Sequence, residues 1–330
     1  MRIVAIDIGS STMKVSRQMT DGSLNTERVS HTPQTPRAIL TSVENLIAES
    51  GADVIALSCF RRALVVDEYN LIFARSSPTH PVVFVDNVLD GVDLRNRLAP
   101  IHRWKHAGGY GSIGAFRTLD GWLSERLTGK NALAESQAWL TGAWDTDLLT
   151  WDSAVLACSG IEPADLPEVL MTPEIVGGIC LPVLGDHEAT AFAAFNLGQW
   201  PLRLLECGTA FAGLLGQAAA APVGLGVESA RRCGYSELID PLFSLRMIEG
   251  HADTPEWMPS HPVASTESLL TGALASVGIA SGQVWLCGGN AKPEFVDALI
   301  ASGYDAIIIK ELTSGVGALQ LAEKCMGSVP

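Results

Sequence analysis

The sequence predicts an α/β protein made of two domains. Short apolar runs typical of strands alternate along the chain with longer segments of helical apolar spacing. The chain has 330 residues, which is enough for two domains. Hydrophobic residues make up 47% of it and charged residues 18%, so a large core can be buried.

Hydrophobic periodicity and turn residues indicate the elements of the first half. The helices at 36–51 and 115–128 end at glycines, Gly51 and Gly129, which are common helix stops. Further helices are predicted at 151–159 and 185–198. Strands are predicted at 3–8, 12–16, 52–58, 63–67 and 81–86.

The second half continues the alternation after the turn NLGQWP. We place the domain boundary at this turn, which gives domains 1–199 and 200–330. Two strands around a Gly-Thr turn are predicted within 202–216, a helix at 266–278, and a strand at 283–290 that enters a Gly-Gly turn and a helix. A last helix is predicted within 313–325.

Composition argues against two classes of partner. The net charge is −14 and no basic patch is present, so a nucleic-acid partner is not expected. The uncharged run 207–227 is long enough to span a bilayer. Pro222 and repeated glycines break this run, however, which favours two buried strands joined by a turn over a membrane segment.

The seven cysteines form no CxxC pair and no Cys/His cluster. This spacing favours buried thiols over a disulfide framework or a zinc site, and it indicates a reducing compartment such as the cytoplasm. Asp7 interrupts the first apolar run too early for a signal peptide.

The segment IDIGSSTMK combines the parts of a phosphate site directly after the first strand. Asp7, at the strand end, can hold Mg²⁺ through water, since this ion keeps much of its hydration shell. Lys14 adds a positive charge. Backbone N–H groups and hydroxyls of the turn can surround an anion, and they belong to Gly9, Ser10, Ser11 and Thr12. A plain tight turn with polar surface residues is the alternative.

Two more glycine turns occur far along the chain. CGTAFAG contains Gly208 and Thr209 between two predicted strands, and WLCGGNAKPEF contains Gly288, Gly289 and Asn290 before a predicted helix. Each turn alone is a weak signal, but three such turns could surround one nucleotide.

These three segments resemble the two phosphate motifs and the adenosine motif of the actin-like ATPase superfamily, and within it the chain resembles the FGGY carbohydrate kinases. WLSERLTGK, residues 135–177 and LGDHEATAFAAF also resemble family segments. The resemblance covers 1–215 continuously and then 266–325, and is strongest to sedoheptulokinase-like and pentulose-kinase-like members. It implies two actin-like (ribonuclease H-like) domains around an interdomain cleft. This chain is shorter than ordinary family members, and the residues that it lacks relative to them fall between 216 and 266. The resemblance therefore implies a reduced second domain.

The resemblance implies a kinase that uses ATP and Mg²⁺ to phosphorylate a hydroxyl of a small sugar, ketose or polyol. In LGDHEATA it assigns the catalytic base to Asp186, while a shifted register would select Glu188. A helix-capping role for Asp186 is the alternative, and both roles are compatible. His187 is more typical of a structural residue.

On the acceptor side the resemblance points to four residues. Asp86 follows a predicted strand where the family places a polyol-binding Asp, and Glu135 stands where glycerol-kinase-like members carry a Tyr against the substrate. Arg61 and Arg62 could bind an anionic group of the acceptor, or could form a solvated turn.

The departures from the family pattern support a second hypothesis. The Thr-Ser of the second phosphate motif is Thr209-Ala210 here, and the second domain is short. A non-catalytic sugar- or nucleotide-binding relative with a regulatory role is therefore the alternative to the kinase. Residues 216–265 match no family segment, and a homodimer contact or a shortened lid are both open interpretations of them.

Overall fold

The structure is a computed structural model, in which the chain forms two compact units. One unit contains Met1–Asp186 together with Ala318–Pro330, and the other contains His187–Gly317. The structure describes residues 1–19, 21–61, 63–73, 116–141, 143–145, 148–199, 202–207, 211–218, 236–240, 245–252 and 266–327.

The first unit is built on a six-stranded mixed sheet. Its strands, in chain order, are β1 (Ile3–Ile8), β2 (Thr12–Gln18), β3 (Leu24–His31), β4 (Val54–Cys59), β5 (Ala63–Val65), β6 (Leu71–Phe73), β7 (Ala132–Ala134), β8 (Trp144–Asp145), β9 (Thr150–Trp151), β10 (Glu168–Leu170), β11 (Glu174–Val176) and β12 (Ile179–Gly185). The six-stranded sheet has the order β11-β12-β4-β1-β2-β3, and the other strands form two-stranded pairs. Strands β1, β4 and β12 run parallel, whereas β2, β3 and β11 are antiparallel to their neighbours.

The helices that begin in this unit are α1 (Pro36–Ser50), α2 (Leu119–Thr128), α3 (Glu135–Leu140), α4 (Ser153–Ser159) and α5 (Asp186–Asn196), and a 3₁₀ turn covers Pro163–Asp165. Helix α1 is capped by the Thr35 hydroxyl, which accepts from the Ala38 N–H, and it ends at Gly51 with φ of 55°. Its apolar face buries Ile39 and Val43 in the same core as Ile6 and Leu57 of the sheet.

The second unit contains another six-stranded sheet. Its strands are β13 (Leu202–Cys207), β14 (Phe211–Ala218), β15 (Ser236–Asp240), β16 (Leu245–Ala252), β17 (Gly282–Cys287) and β18 (Tyr304–Ile308), in the order β15-β16-β14-β13-β17-β18. Strands β13, β17 and β18 are parallel. The later helices are α6 (Thr266–Ser276), α7 (Pro293–Ala301) and α8 (Ser314–Gly327).

The core of the second unit lies between its sheet and the helices that follow. Leu205 and Cys207 of β13 are buried in one cluster with Leu274 of α6 and Leu299 of α7. Successive side chains of a strand point to opposite faces of the sheet. Glu206 therefore lies on the face opposite to that of Leu205 and Cys207.

Most predicted elements are confirmed within two or three residues. The helix predicted at 151–159 begins only at Ser153, because Thr150–Trp151 pairs as β9 with β8. The prediction contained no element for β3, for β6 to β12, for α3, or for β15, β16 and β18. The strand predicted at 81–86 lies outside the described residues.

No helix in the described part of the chain is both long and apolar enough to cross a membrane. Within the run 207–227, the described residues are Cys207, which ends β13, and the whole of β14, which is antiparallel to β13; this agrees with the two predicted strands.

Candidate active site

Three parallel strands of the first unit end at one edge of its sheet, and polar residues collect there. Asp7 of β1 lies opposite Ser58 of β4, and Ser58 lies opposite Leu184 of β12. Gly185 ends β12, and Asp186 follows it as the first residue of α5. The strand register therefore brings Asp7, Ser58 and Asp186 to the same edge.

Asp7 is enclosed by two partners that lie on neighbouring strands. It is 2% exposed. The Ser58 hydroxyl donates to Asp7 Oδ1 at 3.0 Å, and Lys14 Nζ is 3.4 Å from Oδ2. Lys14 is the register partner of Asp7 on β2, and its side chain is 29% exposed. The buried carboxylate thus has both a hydrogen-bond donor and a positive charge beside it.

The turn between β1 and β2 is closed by its own backbone and fastened by a residue from beyond β3. The Gly9 N–H donates to the Thr12 carbonyl at 3.0 Å, and a Cβ at Gly9 would lie 2.9 Å from that oxygen. Thr32 donates its N–H to the Ser11 carbonyl and its hydroxyl to the Gly9 carbonyl, at 3.1 and 2.6 Å. Ser10 and Ser11 remain exposed at the tip of this fixed turn.

Neither Ser58 nor Thr32 was selected by sequence reasoning. Ser58 had a usable signal, because it ends an apolar run predicted to be a strand, in the same way as Asp7 does. Thr32 had none, since its contact with the turn depends on the pairing of β3 with β2.

The two candidates for the base differ in exposure. Asp186 is partly exposed at the start of α5, whereas Glu188, one position past His187, is 2% exposed. A proton acceptor must reach the acceptor hydroxyl, so exposure is consistent with the choice of Asp186.

Of the four residues predicted on the acceptor side, the structure describes Arg61 and Glu135. Arg61 follows β4 and is 8% exposed, and the preceding Phe60 N–H donates to the Ile8 carbonyl at 2.8 Å, which holds this segment against the end of β1. Arg62 and Asp86 lie outside the described residues.

Glu135 is fully buried, with 0% exposure, at the start of α3. Its Oε1 accepts from Trp144 Nε1 at 3.1 Å, and its Oε2 has no hydrogen-bond partner among the described residues. Burial raises the pKa of this carboxyl to about 7, and the Trp144 hydrogen bond opposes the rise.

The second unit has its own polar edge, at the ends of β13 and β17. Gly288 has φ of 95°, and a Cβ there would lie 2.6 Å from the Cys207 carbonyl, so this position requires glycine. The Asn290 N–H donates to the same carbonyl at 2.9 Å. Gly289 is exposed in this turn. Gly208 and Thr209, which follow Cys207, lie outside the described residues.

The donor set at Asp7 fits a hydrated Mg²⁺ ion rather than a dedicated metal cage. Among the residues that the structure describes, no three His, Cys, Asp or Glu side chains converge. One carboxylate with a hydroxyl beside it is sufficient for an ion that retains most of its water and takes its other ligands from phosphate.

Comparisons with known proteins point to sugar kinases. No protein-family model matches the sequence. A xylulose kinase from Streptomyces rubiginosus is 34% identical over 114 residues, which are 34% of this chain and 20% of that protein. The matched segment thus spans about a fifth of the relative's length. Solved kinases have the same fold over nearly the whole chain. A Brucella ovis xylulose kinase gives a TM-score of 0.71 at 14% identity, covering 100% of this chain and 91% of its own.

Over the matched segment in sequence, and over nearly its whole length in fold, the chain is similar to sugar kinases.

The chain also matches a Plasmodium falciparum glycerol kinase solved with ADP, with a TM-score of 0.70 at 15% identity over 98% of this chain and 89% of that one. These likenesses confirm the predicted α/β fold of the actin-like type. The assignment to the sedoheptulokinase-like or pentulose-kinase-like branch stays a prediction, as do the domain boundary and the roles of the site residues.

Proposed function

We propose that this chain uses ATP and Mg²⁺ to phosphorylate a hydroxyl of a small sugar, ketose or polyol. The observation that supports this most strongly is the register that brings Asp7, Ser58 and Asp186 to one sheet edge. A kinase of this kind needs a proton acceptor for the sugar hydroxyl and a group that holds the cation of the nucleotide, and this edge offers both.

In the proposed reaction Asp186 accepts the proton of the acceptor hydroxyl. The oxygen then bonds to the γ-phosphorus of ATP, and the bond from that phosphorus to the bridging oxygen breaks, so that ADP leaves. Asp7 would hold Mg²⁺ through water, and the bound ion would offset the negative charge of the phosphates. The fixed turn Gly9–Thr12 and Lys14 would supply donors and positive charge for the phosphates.

We assign the nucleotide to the polar edge of the second unit. The Gly288–Asn290 turn lies against the Cys207 carbonyl and contains no bulky side chain, which suits the close approach of a nucleotide to the backbone. In this proposal the predicted domain 1–199 binds the acceptor, and the predicted domain 200–330 binds the nucleotide.

The acceptor is a polyhydroxy compound in this proposal, in line with the names of the relatives, which are xylulose, glycerol and sugar kinases. Arg61, with Arg62 beside it in sequence, extends the candidates to sugar acids and sugar phosphates, because guanidinium groups bind carboxylate and phosphate in a bidentate manner.

The test is acceptor-dependent release of ADP. Purified protein, ATP and Mg²⁺ are combined with a panel of ketoses, polyols, sugar acids and sugar phosphates. The wild type is compared with Asp186→Asn and with a control, Asp297→Asn, which removes an exposed carboxylate on α7. We expect one acceptor class to stimulate ADP release in the wild type and control, and at least a 100-fold loss in Asp186→Asn, since general-base catalysis typically contributes about 10²–10⁴-fold.

One result would replace the kinase hypothesis, and another would change the assignment of the base. If calorimetry detects binding of a sugar or nucleotide but no acceptor stimulates ADP release, the binding-protein hypothesis replaces the kinase. Equal turnover in the wild type and Asp186→Asn would remove Asp186 from the role of base.

A further inference from the structure

Three polar side chains form one row across the sheet of the first unit. The register places Lys14 of β2 and Ser58 of β4 directly opposite Asp7 of β1, one on each side. Residues that lie directly opposite each other on neighbouring strands have their side chains on the same face of the sheet. The row therefore puts an ammonium group, a carboxylate and a hydroxyl side by side on one face, in the strand order β2, β1 and β4.

Each oxygen of Asp7 has one of these neighbours. The Ser58 hydroxyl donates to Oδ1 at 3.0 Å, and Lys14 Nζ lies 3.4 Å from Oδ2. The side chain of Asp7 is 3% exposed and that of Lys14 is 29% exposed, so Lys14 is the member of the ion pair that reaches solvent. A cation that approaches the buried carboxylate from solvent therefore encounters the ammonium group of Lys14.

A second positive charge continues the row beyond Lys14. Arg28 of β3 is the register partner of Lys14, and it is exposed. Like charges directly opposite each other on neighbouring strands repel, although water screens the repulsion at an exposed position. Attraction by Asp7 and repulsion by Arg28 therefore both favour the contact of Lys14 with the carboxylate.

The charge balance of the row disfavours a metal ion that arrives alone. Asp7 carries one negative charge and Lys14 one positive charge, so the pair is neutral. A free Mg²⁺ ion would add two positive charges beside a carboxylate that is 2% exposed, where little water is available to screen the repulsion from Lys14. Nucleotide phosphates bring negative charge together with the ion, and they offer the ammonium group another partner.

We propose that Lys14 closes Asp7 to free metal ions and releases it only when Mg²⁺ arrives together with nucleotide phosphates, to which the ammonium group then transfers. This inference rests on the proposed function, in which Asp7 holds Mg²⁺ and Lys14 supplies positive charge for the phosphates. It adds a dependence between these two roles. Lys14 is a positioning residue that couples metal binding at Asp7 to nucleotide binding.

An ion pair that only stabilises the sheet predicts a different response to substitution. If the ammonium group and a metal ion are compatible at Asp7, the wild type binds the ion without nucleotide, and removing the charge of Lys14 leaves that affinity unchanged. If Lys14 excludes the ion, removing its charge creates a metal site that depends on Asp7 and needs no nucleotide.

The first experiment is titration of the full chain with Mn²⁺ alone, in which electron paramagnetic resonance measures the unbound ion. Mn²⁺ replaces Mg²⁺ because both ions prefer oxygen ligands in octahedral geometry. The proteins are the wild type, Lys14→Gln, and each of these with Asp7→Asn, which shows how much of the binding depends on Asp7. Arg28→Gln is the matched control, because it removes the same charge one strand further from Asp7.

We expect Lys14→Gln to bind Mn²⁺ at Asp7 at least about tenfold more tightly than the wild type does, which is the effect of removing one unit charge from partly buried surroundings. The added Asp7→Asn substitution should abolish this gain. Arg28→Gln should bind Mn²⁺ as the wild type does, because its side chain is exposed and does not contact Asp7.

The second experiment is calorimetric titration of the same proteins with the Mn²⁺ complex of a non-hydrolysable ATP analogue. Coupling between metal and nucleotide is measured by the ratio of the affinity for this complex to the affinity for Mn²⁺ alone. We expect this ratio to fall at least about tenfold in Lys14→Gln, because free Mn²⁺ gains access to Asp7 while the phosphates lose a cation.

The two titrations separate this inference from the proposed function. Asp7-dependent binding of Mn²⁺ by Lys14→Gln, with no binding of the nucleotide complex by any of the proteins, would overturn the nucleotide assignment and leave the exclusion of free ions by Lys14 standing. Equal Asp7-dependent affinity for Mn²⁺ in the wild type and Lys14→Gln, or no such binding in Lys14→Gln, would overturn this inference. If Lys14→Gln does not fold, Lys14→Met takes its place in the same comparisons.

Discussion

Asp7 and Ser58 lie opposite each other on neighbouring parallel strands, and the Ser58 hydroxyl donates a 3.0 Å hydrogen bond to Asp7 Oδ1. The two residues are 51 positions apart in sequence, so only the sheet brings them together. Because Ser58 is fully buried, this hydrogen bond holds the proposed metal-binding carboxylate in one orientation within a low-dielectric environment.

Ser58→Ala should therefore destabilise the protein and impair the site. The substitution leaves a buried carboxylate oxygen without this donor, which costs about 1–3 kcal/mol in the free energy of unfolding. Urea denaturation measures the loss, and Ser42→Ala, on helix α1, is the matched control, expected to stay within about 0.5 kcal/mol of the wild type. Equal stability of Ser58→Ala and the control would show that the hydrogen bond is not formed.

Glu135→Gln should change how stability depends on pH. The pKa of Glu135 rises from its ordinary value of 4.5 to about 7 in the folded protein because the carboxyl is buried. The folded state therefore holds a proton that the unfolded state releases. The stabilisation by this proton is complete below pH 4.5, falls as the pH rises, and is lost above about pH 7.

The measurement is chemical denaturation of wild type and Glu135→Gln at pH 5 and pH 8. We expect the wild type to lose on the order of 2–3 kcal/mol relative to the variant between the two conditions, since one pKa unit corresponds to 1.36 kcal/mol. Glu162→Gln, which removes an exposed carboxylate, serves as the control. A difference that does not vary with pH would mean that Glu135 is ionised throughout.

Gly317→Ala should destabilise the second unit. A Cβ at Gly317, in α8, would run into the backbone carbonyl of Ala189, in α5, and backbone cannot move aside as a flexible side chain can. We expect a loss of about 1–3 kcal/mol, the usual cost of overpacking. At Gly272, in α6, an added methyl would meet nothing within 4 Å. Gly272→Ala should therefore raise the free energy of unfolding by up to about 1 kcal/mol, because alanine favours a helix more than glycine does. Thermal unfolding of both variants compares the two, and similar shifts would contradict the close approach of the helices.

Gly288→Ala should reduce the free energy of nucleotide binding by more than it reduces the free energy of unfolding. The added methyl would lie 2.6 Å from the Cys207 carbonyl, at a backbone angle that already favours glycine. Gly278 has a similar positive φ but nothing within 4 Å, so Gly278→Ala is a control for backbone strain alone. We expect Gly288→Ala, but not Gly278→Ala, to raise the Kd for ADP at least tenfold, which corresponds to about 1.4 kcal/mol of binding free energy. Equal affinities in the two variants would mean that the Gly288 turn does not contact the nucleotide.

The local parts of the fold could be predicted from the sequence because they depend on local signals. The apolar run 3–8 and the helix that ends at Gly51 follow from periodicity and glycine conformations, and the structure has them as Ile3–Ile8 and Pro36–Ser50. Strand β3 was missed because none of its side chains is fully buried, so it lacks a strong apolar pattern.

The site was only partly predictable, for a related reason. Asp7 and the Gly9 turn are visible as a motif within a few positions, whereas Ser58 and Thr32 reach them from 51 and 23 residues away. Motifs identify the turns, but tertiary contacts decide which side chains support them.

In the proposed reaction this chain moves a phosphoryl group from ATP to a sugar or polyol hydroxyl, with Asp186 as base. The most direct test uses ATP labelled in its γ-phosphoryl group, the acceptor that stimulates ADP release, and mass spectrometry of the products. We predict that the label appears on the acceptor with the wild type and that this product is lost in Asp186→Asn. Label found only in inorganic phosphate, with an unmodified acceptor, would rule out phosphoryl transfer to the acceptor and indicate a nucleotide hydrolase instead.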